Sequence, residues 1–316
     1  MDKIIMLIGF GLASYSVIAN DVIQTLGTFL SSNAKRPWYI LWTYAGLLLS
    51  AVLIIGYIIN SGDVSFGRLT QIPYPPVIHW WFILPPLVLL VITQMGLPVS
   101  TTFMILSIFS SQQVIEKMVI KSITGYAVAF VTAFIIYLLI ARKFEEKTAA
   151  KKVGVRRQRR WWLVGQWFST AFLWSQWLMQ DFANIYVYMP RHLTVTELLI
   201  SLTFMLVLLA IVFQRKGGKI QNIVKKKTNS ANIRSATLID LSYGIVLYFF
   251  TVINPIPMST TWTFVGILAG REYAITLLLK RQLINDTYKD IFRDLIKVNV
   301  GLAISVLIAL LIRYLQ

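Results

Sequence analysis

Ala19-Asn20-Asp21-Val22-Ile23-Gln24 and Met179-Gln180-Asp181-Phe182-Ala183-Asn184 carry one pattern twice, 160 residues apart: an aspartate among amides, set deep in apolar sequence. A second pair follows at almost the same offset. Pro98-Val99-Ser100-Thr101-Thr102 matches Pro257-Met258-Ser259-Thr260-Thr261 at a shift of 159. The motifs stand in the same order and lie 79 residues apart in one copy and 78 in the other, which one duplicated unit explains better than coincidence. The halves are expected at 1–141 and 161–316, joined by a basic linker at 142–160.

The sequence around these motifs is that of a membrane protein. Of 316 residues, 57% are hydrophobic and 14% charged, against roughly 25% charged in a soluble domain. Apolar stretches near the ~20 residues that cross a bilayer are expected at 4–33 (broken near Asp21), 38–59, 79–96, 99–115, 118–140, 161–189 (broken near Asp181), 193–213, 236–253, 258–270 and 296–315. The first has no small-residue cleavage site and is expected to stay in the protein. With no cysteine, disulfides, thiolate catalysis and Cys-ligated metals are excluded, and two histidines, His79 and His192, leave little for a metalloenzyme.

The net charge of +17 would suggest nucleic acid in a soluble protein; here it reads as basic cytoplasmic loops, with no nucleic-acid partner. Arg142–Arg160 holds nine Lys/Arg and Gln214–Ser235 seven, whereas Asn60–Ile78, the counterpart of the latter, holds only Arg68. An odd number of segments per half inverts the second copy, and unequal basic counts in corresponding loops are what inversion requires. Placing the basic loops inside leaves Lys3, Arg68, Lys117, Lys121, Arg191 and Arg313 outside, together with both termini. The predicted fold is an all-α polytopic membrane protein of two inverted-topology repeats, about five segments each, with broken helices and re-entrant hairpins at the Asp and Pro-x-Ser-Thr-Thr motifs.

A mid-helix aspartate costs ~2.5–3.5 kcal/mol on insertion scales, so Asp21 and Asp181 demand a reason. One reading makes each a hydrogen-bonded pin between helices. The other makes them cation ligands or proton carriers, with Asn20, Gln24, Gln180 and Asn184 adding neutral oxygens and amide donors. Pro98 and Pro257 predict fresh helix starts inside apolar sequence. At such a break, free N–H groups, the helix dipole and the hydroxyls of Ser100, Thr101, Thr102, Ser259, Thr260 and Thr261 make an anion site without Arg or Lys. A simple Pro kink with back-bonded hydroxyls is the alternative.

Other residues are expected to be peripheral. Trp80, Trp81, Trp161, Trp162, Trp167, Trp174 and Trp177 read as an interfacial belt, and His79 and His192 as headgroup-facing. Asp240 and Glu272 read as loop carboxylates paired with Arg271 or a lysine, and Glu145 and Glu146 as solvated.

These motifs resemble those of the inorganic phosphate transporter (PiT) family, which includes sodium–phosphate symporters and some sulfate permeases. Its members carry Gly-Ala-Asn-Asp-Val-Ala-Asn and Pro-x-Ser-Thr-Thr-His in each half. Ala19–Val22 matches the first motif, with Gln24 for the last Asn. Asp181 and Asn184 match in the second copy, with Gln180 for the first Asn. Both Pro-x-Ser-Thr-Thr runs match, but Phe103 and Trp262 replace the histidines. The resemblance implies a transporter rather than an enzyme, without a cofactor, in the cell membrane, as a homodimer. It implies Na⁺ or H⁺ symport of phosphate, or else sulfate, by alternating access. The anion is expected on Asn20, Ser100, Thr101, Thr102, Gln180, Ser259, Thr260 and Thr261. Cation coupling is expected at Asp21, Gln24, Asp181 and Asn184, with Asp21 and Asp181 as Na⁺ ligands. Two rivals from other classes are an intramembrane lipid-phosphate hydrolase, which needs a placed base and a basic phosphate ligand, and a non-transporting receptor or scaffold.

Overall fold

A computed structural model describes residues 2–77, 79–94, 99–148, 155–217, 233–279 and 284–315. No strand occurs among the described residues. Their helices are α1 (Asp2–Ser32), α2 (Trp38–Ile59), α3 (Leu84–Gln94), α4 (Thr101–Leu106), α5 (Gln112–Thr148), α6 (Val155–Tyr186), α7 (Val195–Gln214), α8 (Ile233–Ile253), α9 (Thr260–Leu279) and α10 (Ile284–Leu315). A short 3-10 turn, Trp80–Ile83, leads into α3.

Five of these helices contain runs long and apolar enough to cross a membrane: Lys3–Val22, Trp38–Ile59, Gln112–Leu139, Val195–Gln214 and Ile233–Ile253. Side chains that a soluble protein would bury face outward, among them Leu47, Ile58, Leu139, Ile200 and Leu307, each more than 60% exposed. Outside a bilayer such an apolar exterior would aggregate. The chain is a multi-pass membrane protein.

The packing is reciprocal between the halves. Where α1 lies against α3, α6 lies against α8; where α2 meets α6, α7 meets α1; where α5 meets α9, α10 meets α4; and α1 meets α9 as α6 meets α4. The α5–α9 contact is the tightest. A Cβ on Gly266 would stand 2.5 Å from the Tyr126 carbonyl oxygen, and one on Gly270 would press still closer on that of Phe130. This small-xxx-small stripe lets two backbones touch where lipid offers no hydrophobic drive to hold helices together.

Three expectations about the path of the chain are corrected. α1 runs unbroken through Asp21 and α6 through Asp181. No Pro or Gly adjoins either aspartate, so the ladder has no cause to open. The segment expected at 99–115 is only the six-residue α4. Ser107 and Ser110 donate their hydroxyls to the carbonyls of Phe103 and Leu106 four residues back, and the polar run Ser110–Gln113 carries the turn. α5 then starts at Gln112, six residues before the span expected at 118–140, so Lys117 and Lys121 belong to a long helix. The expected linker 142–160 lies partly in the end of α5 and the start of α6, while 149–154 falls outside the described residues.

The break before the second hydroxyl motif is found where expected. Pro255 and Pro257 cannot donate to a ladder, and α8 stops at Ile253. Residues 254–259 are non-helical, and their carbonyls are met from outside. Lys121 Nζ donates to Asn254 O (2.9 Å) and Ile256 O (2.6 Å), while Thr102 reaches Met258 O. Unwound backbone at membrane depth persists only when satisfied in this way. In the first copy Val99 and Ser100 are non-helical, and Pro98 lies outside the described residues.

Candidate functional site

Each hydroxyl motif begins a helix. Ser100 Oγ accepts from Phe103 N (3.3 Å) and Ser259 Oγ from Trp262 N (3.2 Å), the N-cap bond that a serine at this position makes. The next residues then face across the molecule. Thr102 Oγ1 donates to Met258 O at 3.1 Å, and its counterpart Thr261 Oγ1 donates to Val99 O, the counterpart of Met258 O, at 3.3 Å. The two motifs are thus locked to each other by a reciprocal pair of hydrogen bonds.

The aspartates close on this centre from α1 and α6. Asp21 and Asp181 are each 1% exposed. Thr101 donates to Asp21 Oδ2 at 2.5 Å and accepts from Asn184 Nδ2 at 3.2 Å, while Asn184 also donates to Asp181 Oδ1. Three hydrogen bonds therefore connect the two carboxylates, and both belong to one buried polar cluster. Asn20 Nδ2 donates to Asp21 Oδ1 (2.9 Å) and Val99 O (3.1 Å), and Thr261 also contacts Asp21. Thr260 stands beside Asp181 as Thr101 does beside Asp21. Tyr243, fully buried, donates to Thr260 O and completes the wall.

The centre offers both halves of an ion pair's coordination. The α9 N-terminus and the threonine hydroxyls can donate to an anion. Asp181 Oδ2 and Asn184 Oδ1, one helical turn apart, are buried without a hydrogen-bond donor. Two such oxygens suit a hard monovalent cation, since a cation is the partner that a buried acceptor lacks when no N–H or O–H reaches it. No group of three His, Cys, Asp or Glu able to hold a metal occurs among the described residues, so any cation here relies on hydroxyl, amide and substrate oxygens besides the carboxylates.

The expected site residues do not all hold the places foreseen. Asn20, Asp21, Ser100, Thr101, Thr102, Asp181, Asn184, Ser259, Thr260 and Thr261 converge. Gln24 reaches only Asn20, at 3.3 Å. Gln180 turns aside: its Oε1 accepts from Arg68 Nε (3.0 Å) and its Nε2 donates to Thr251 (2.8 Å), so both ends are used away from the hydroxyls. Phe103 and Trp262 face each other, with ring centroids 6.2 Å apart, and form an aromatic seam beneath the two motifs.

Three charged residues were misread. Arg68, expected in an outer loop, is 2% exposed beside Asp181, so the centre is not free of basic residues. Lys121, expected outside, is buried and holds the 254–256 backbone. Asp240, expected in a loop, is fully buried in α8 and accepts from Thr28 (2.5 Å), Thr170 (2.6 Å) and Gln166 (3.1 Å). A sign was present each time: the lone basic residue of Asn60–Ile78, a lysine between Val119-Ile120 and Ile123, and an aspartate set among Leu238, Ile239 and Leu241. The tryptophan belt is also corrected in part. Trp174 and Trp177 are buried and stacked, while Trp80 and Trp161 are exposed. His79 stacks on Trp81, and His192 meets Ser61 O at the surface.

Fold and site together define an all-helical membrane protein built around paired aspartates and paired Ser-Thr-Thr helix starts. Over its whole length the chain shares the fold of a solved structure described as "The sodium-dependent phosphate transporter", at a TM-score of 0.60 and 17% identity, covering 100% of this chain and 99% of that one. No family model matches the chain, and no curated protein does.

Proposed function

We propose that the protein is a secondary active transporter that takes up an inorganic oxyanion, phosphate first, together with Na⁺ or H⁺ by alternating access. The observation that carries this reading is the reciprocal bonding of Thr102 to Met258 O and of Thr261 to Val99 O, with Asp21 and Asp181 joined through Thr101 and Asn184. The shared fold with a sodium-dependent phosphate transporter supports phosphate and Na⁺ as the first choices. In this reading residues 1–141 and 161–316 are inverted repeats, in keeping with their reciprocal packing. Both termini lie outside a cell membrane, and a homodimer is the working assembly.

Charge sets the chemistry. Moving a doubly charged anion into a cell at −100 mV costs ~4.6 kcal/mol, and each entering monovalent cation returns ~2.3 kcal/mol. The carboxylates supply countercharge for those cations and repel a lone anion, so anion and cation favour each other's binding. Each hydroxyl hydrogen now spent on Asp21, Met258 O or Val99 O must rotate to meet the anion, which loosens the contact between halves as the site fills.

Proteoliposomes loaded under imposed Na⁺ or pH gradients test the reading. Labelled phosphate should accumulate against its gradient with one of the two cations. Preference for sulfate would change the substrate, and no accumulation of either oxyanion would overturn the proposal. Release of free phosphate from a polyprenyl diphosphate would instead favour the hydrolase.

A further inference from the structure

Arg68 is placed by a turn built for the purpose. Asp63 Oδ1 accepts from Ser65 N (2.7 Å) and Ser65 Oγ (2.6 Å), and Asp63 Oδ2 from Gly67 N (2.9 Å). Phe66, with φ 54°, and Gly67, with φ 74°, then bend the chain inward through the left-handed region. That conformation costs a non-glycine residue about 1–2 kcal/mol, and it delivers Arg68 into the core from a segment that otherwise runs outside the helices.

Once there, the guanidinium is only partly used. Nε donates to Gln180 and Nη1 to Phe66 O at 3.4 Å, but Nη2 is buried with no hydrogen-bond partner. Burial lowers its pKa to about 10, which leaves it charged at neutral pH. Asp181 is near enough to act on it electrostatically, yet among the described residues the two form no ion pair, and Asp181 Oδ2 and Asn184 Oδ1 lack donors of their own. A buried donor on one side and two buried acceptors on the other are the complement of an anion resting against a cation. Leaving either unsatisfied is expensive. Lys121, another buried cation, has its ammonium engaged by three oxygens, whereas Arg68 keeps Nη2 without a hydrogen-bond partner.

Resting on the reading of the site as an oxyanion transporter's, we propose that Arg68 Nη2 is a direct ligand of the transported oxyanion. It holds the anion against the cation carried by Asp181 and Asn184 and favours a dianion over a monoanion. The exchange of asparagine for Gln180 is part of the same device, since the longer amide reaches Arg68 Nε and orients the fork. The positions matching Arg68 in the second copy fall within 218–232, outside the described residues; the proposal concerns the Asp181 side alone.

The test compares wild type with Arg68→Gln in detergent by isothermal titration. Phosphate is titrated at saturating Na⁺, and Na⁺ is titrated without phosphate. Loss of a charge-assisted bond predicts phosphate binding about 10- to 100-fold weaker, with Na⁺ affinity alone unchanged or tighter. A merely structural arginine would weaken both together or neither, and either of those results overturns the proposal. Wild type that binds neither phosphate nor sulfate sinks the transporter reading itself, whereas wild-type binding with an unaltered Arg68→Gln variant sinks only this inference. Should the variant fail to insert, the wild-type structure with arsenate decides. Arsenate oxygen within ~2.7–3.2 Å of Nη2 is expected, and an anion bound elsewhere, with Nη2 still unpartnered, refutes it.

Discussion

The two aspartates occupy matching places in matching helices, yet their surroundings differ. Around Asp21 the circle is closed: Asn20 donates to Oδ1 and Thr101 to Oδ2. Around Asp181 it is open, with Oδ2 and the neighbouring Asn184 Oδ1 unmet and Arg68 close by. The frame is symmetric and its contents are not: Gln24 stands where the second copy has Asn184, Gln180 stands where the first has Asn20, and Arg68 serves one side. On the closed side Asp21 and Asn20 tie α1 to the first hydroxyl motif through Thr101 and Val99 O; in the proposed function the open side is the one that takes up ions.

Substitution of the aspartates tests this division most severely. Asp181→Asn and Asp21→Asn should both cut coupled uptake in proteoliposomes by at least ~100-fold, the scale of losing a buried charged ligand, while the protein still inserts. Na⁺ binding without phosphate should suffer more from Asp181→Asn; equal losses would erase the distinction between the sides. Stability depends on another contrast, that between the tight α5–α9 contact and the looser rest. Gly270→Leu should cost more than the 1–3 kcal/mol typical of overpacking, because the atom it meets is the Phe130 carbonyl rather than a movable side chain. Thermal unfolding in detergent would show it, and an unchanged Tm would mean the contact is not so close.

Asp240 supplies a third carboxylate without a duplicate. Three donors serve it, so Asp240→Asn sets an amide N–H₂ against at least one of them and should cost about 1–3 kcal/mol of stability. The cation-to-anion ratio of transport should not change, and a changed ratio measured by reversal potential would move Asp240 into the coupling machinery. The smallest effect belongs to the symmetric threonines. Thr102→Val and Thr261→Val each remove one hydrogen bond worth about 0.5–1.5 kcal/mol, and the two should lower uptake by similar factors. Strongly unequal losses would show that the reciprocal pair is not reciprocal in function.

Most of the frame was legible in the chain itself because each motif occurs twice. Asp21 and Asp181, and the two Ser-Thr-Thr runs, announced one another, and Pro257 marked the fresh helix start before the second run. What was not legible is what occurs once. Arg68 sits in a loop by sequence, and only the Asp63-capped turn reveals that it folds inward. Asp240 has the same apolar setting as Asp21, but nothing repeats it. Helix continuity at the aspartates was not legible because polarity alone does not break a helix that no Pro or Gly interrupts there.

The claim beneath all of this is that anion and cation share one pocket and therefore help each other bind. Titrating phosphate calorimetrically into protein equilibrated in Na⁺, and then in choline, at two pH values, reads that help directly. Coupling of the usual size predicts affinity about 5- to 150-fold tighter with the driving cation present. Superimposable isotherms under all four conditions would mean that the carboxylates and the hydroxyl motifs do not serve a common site.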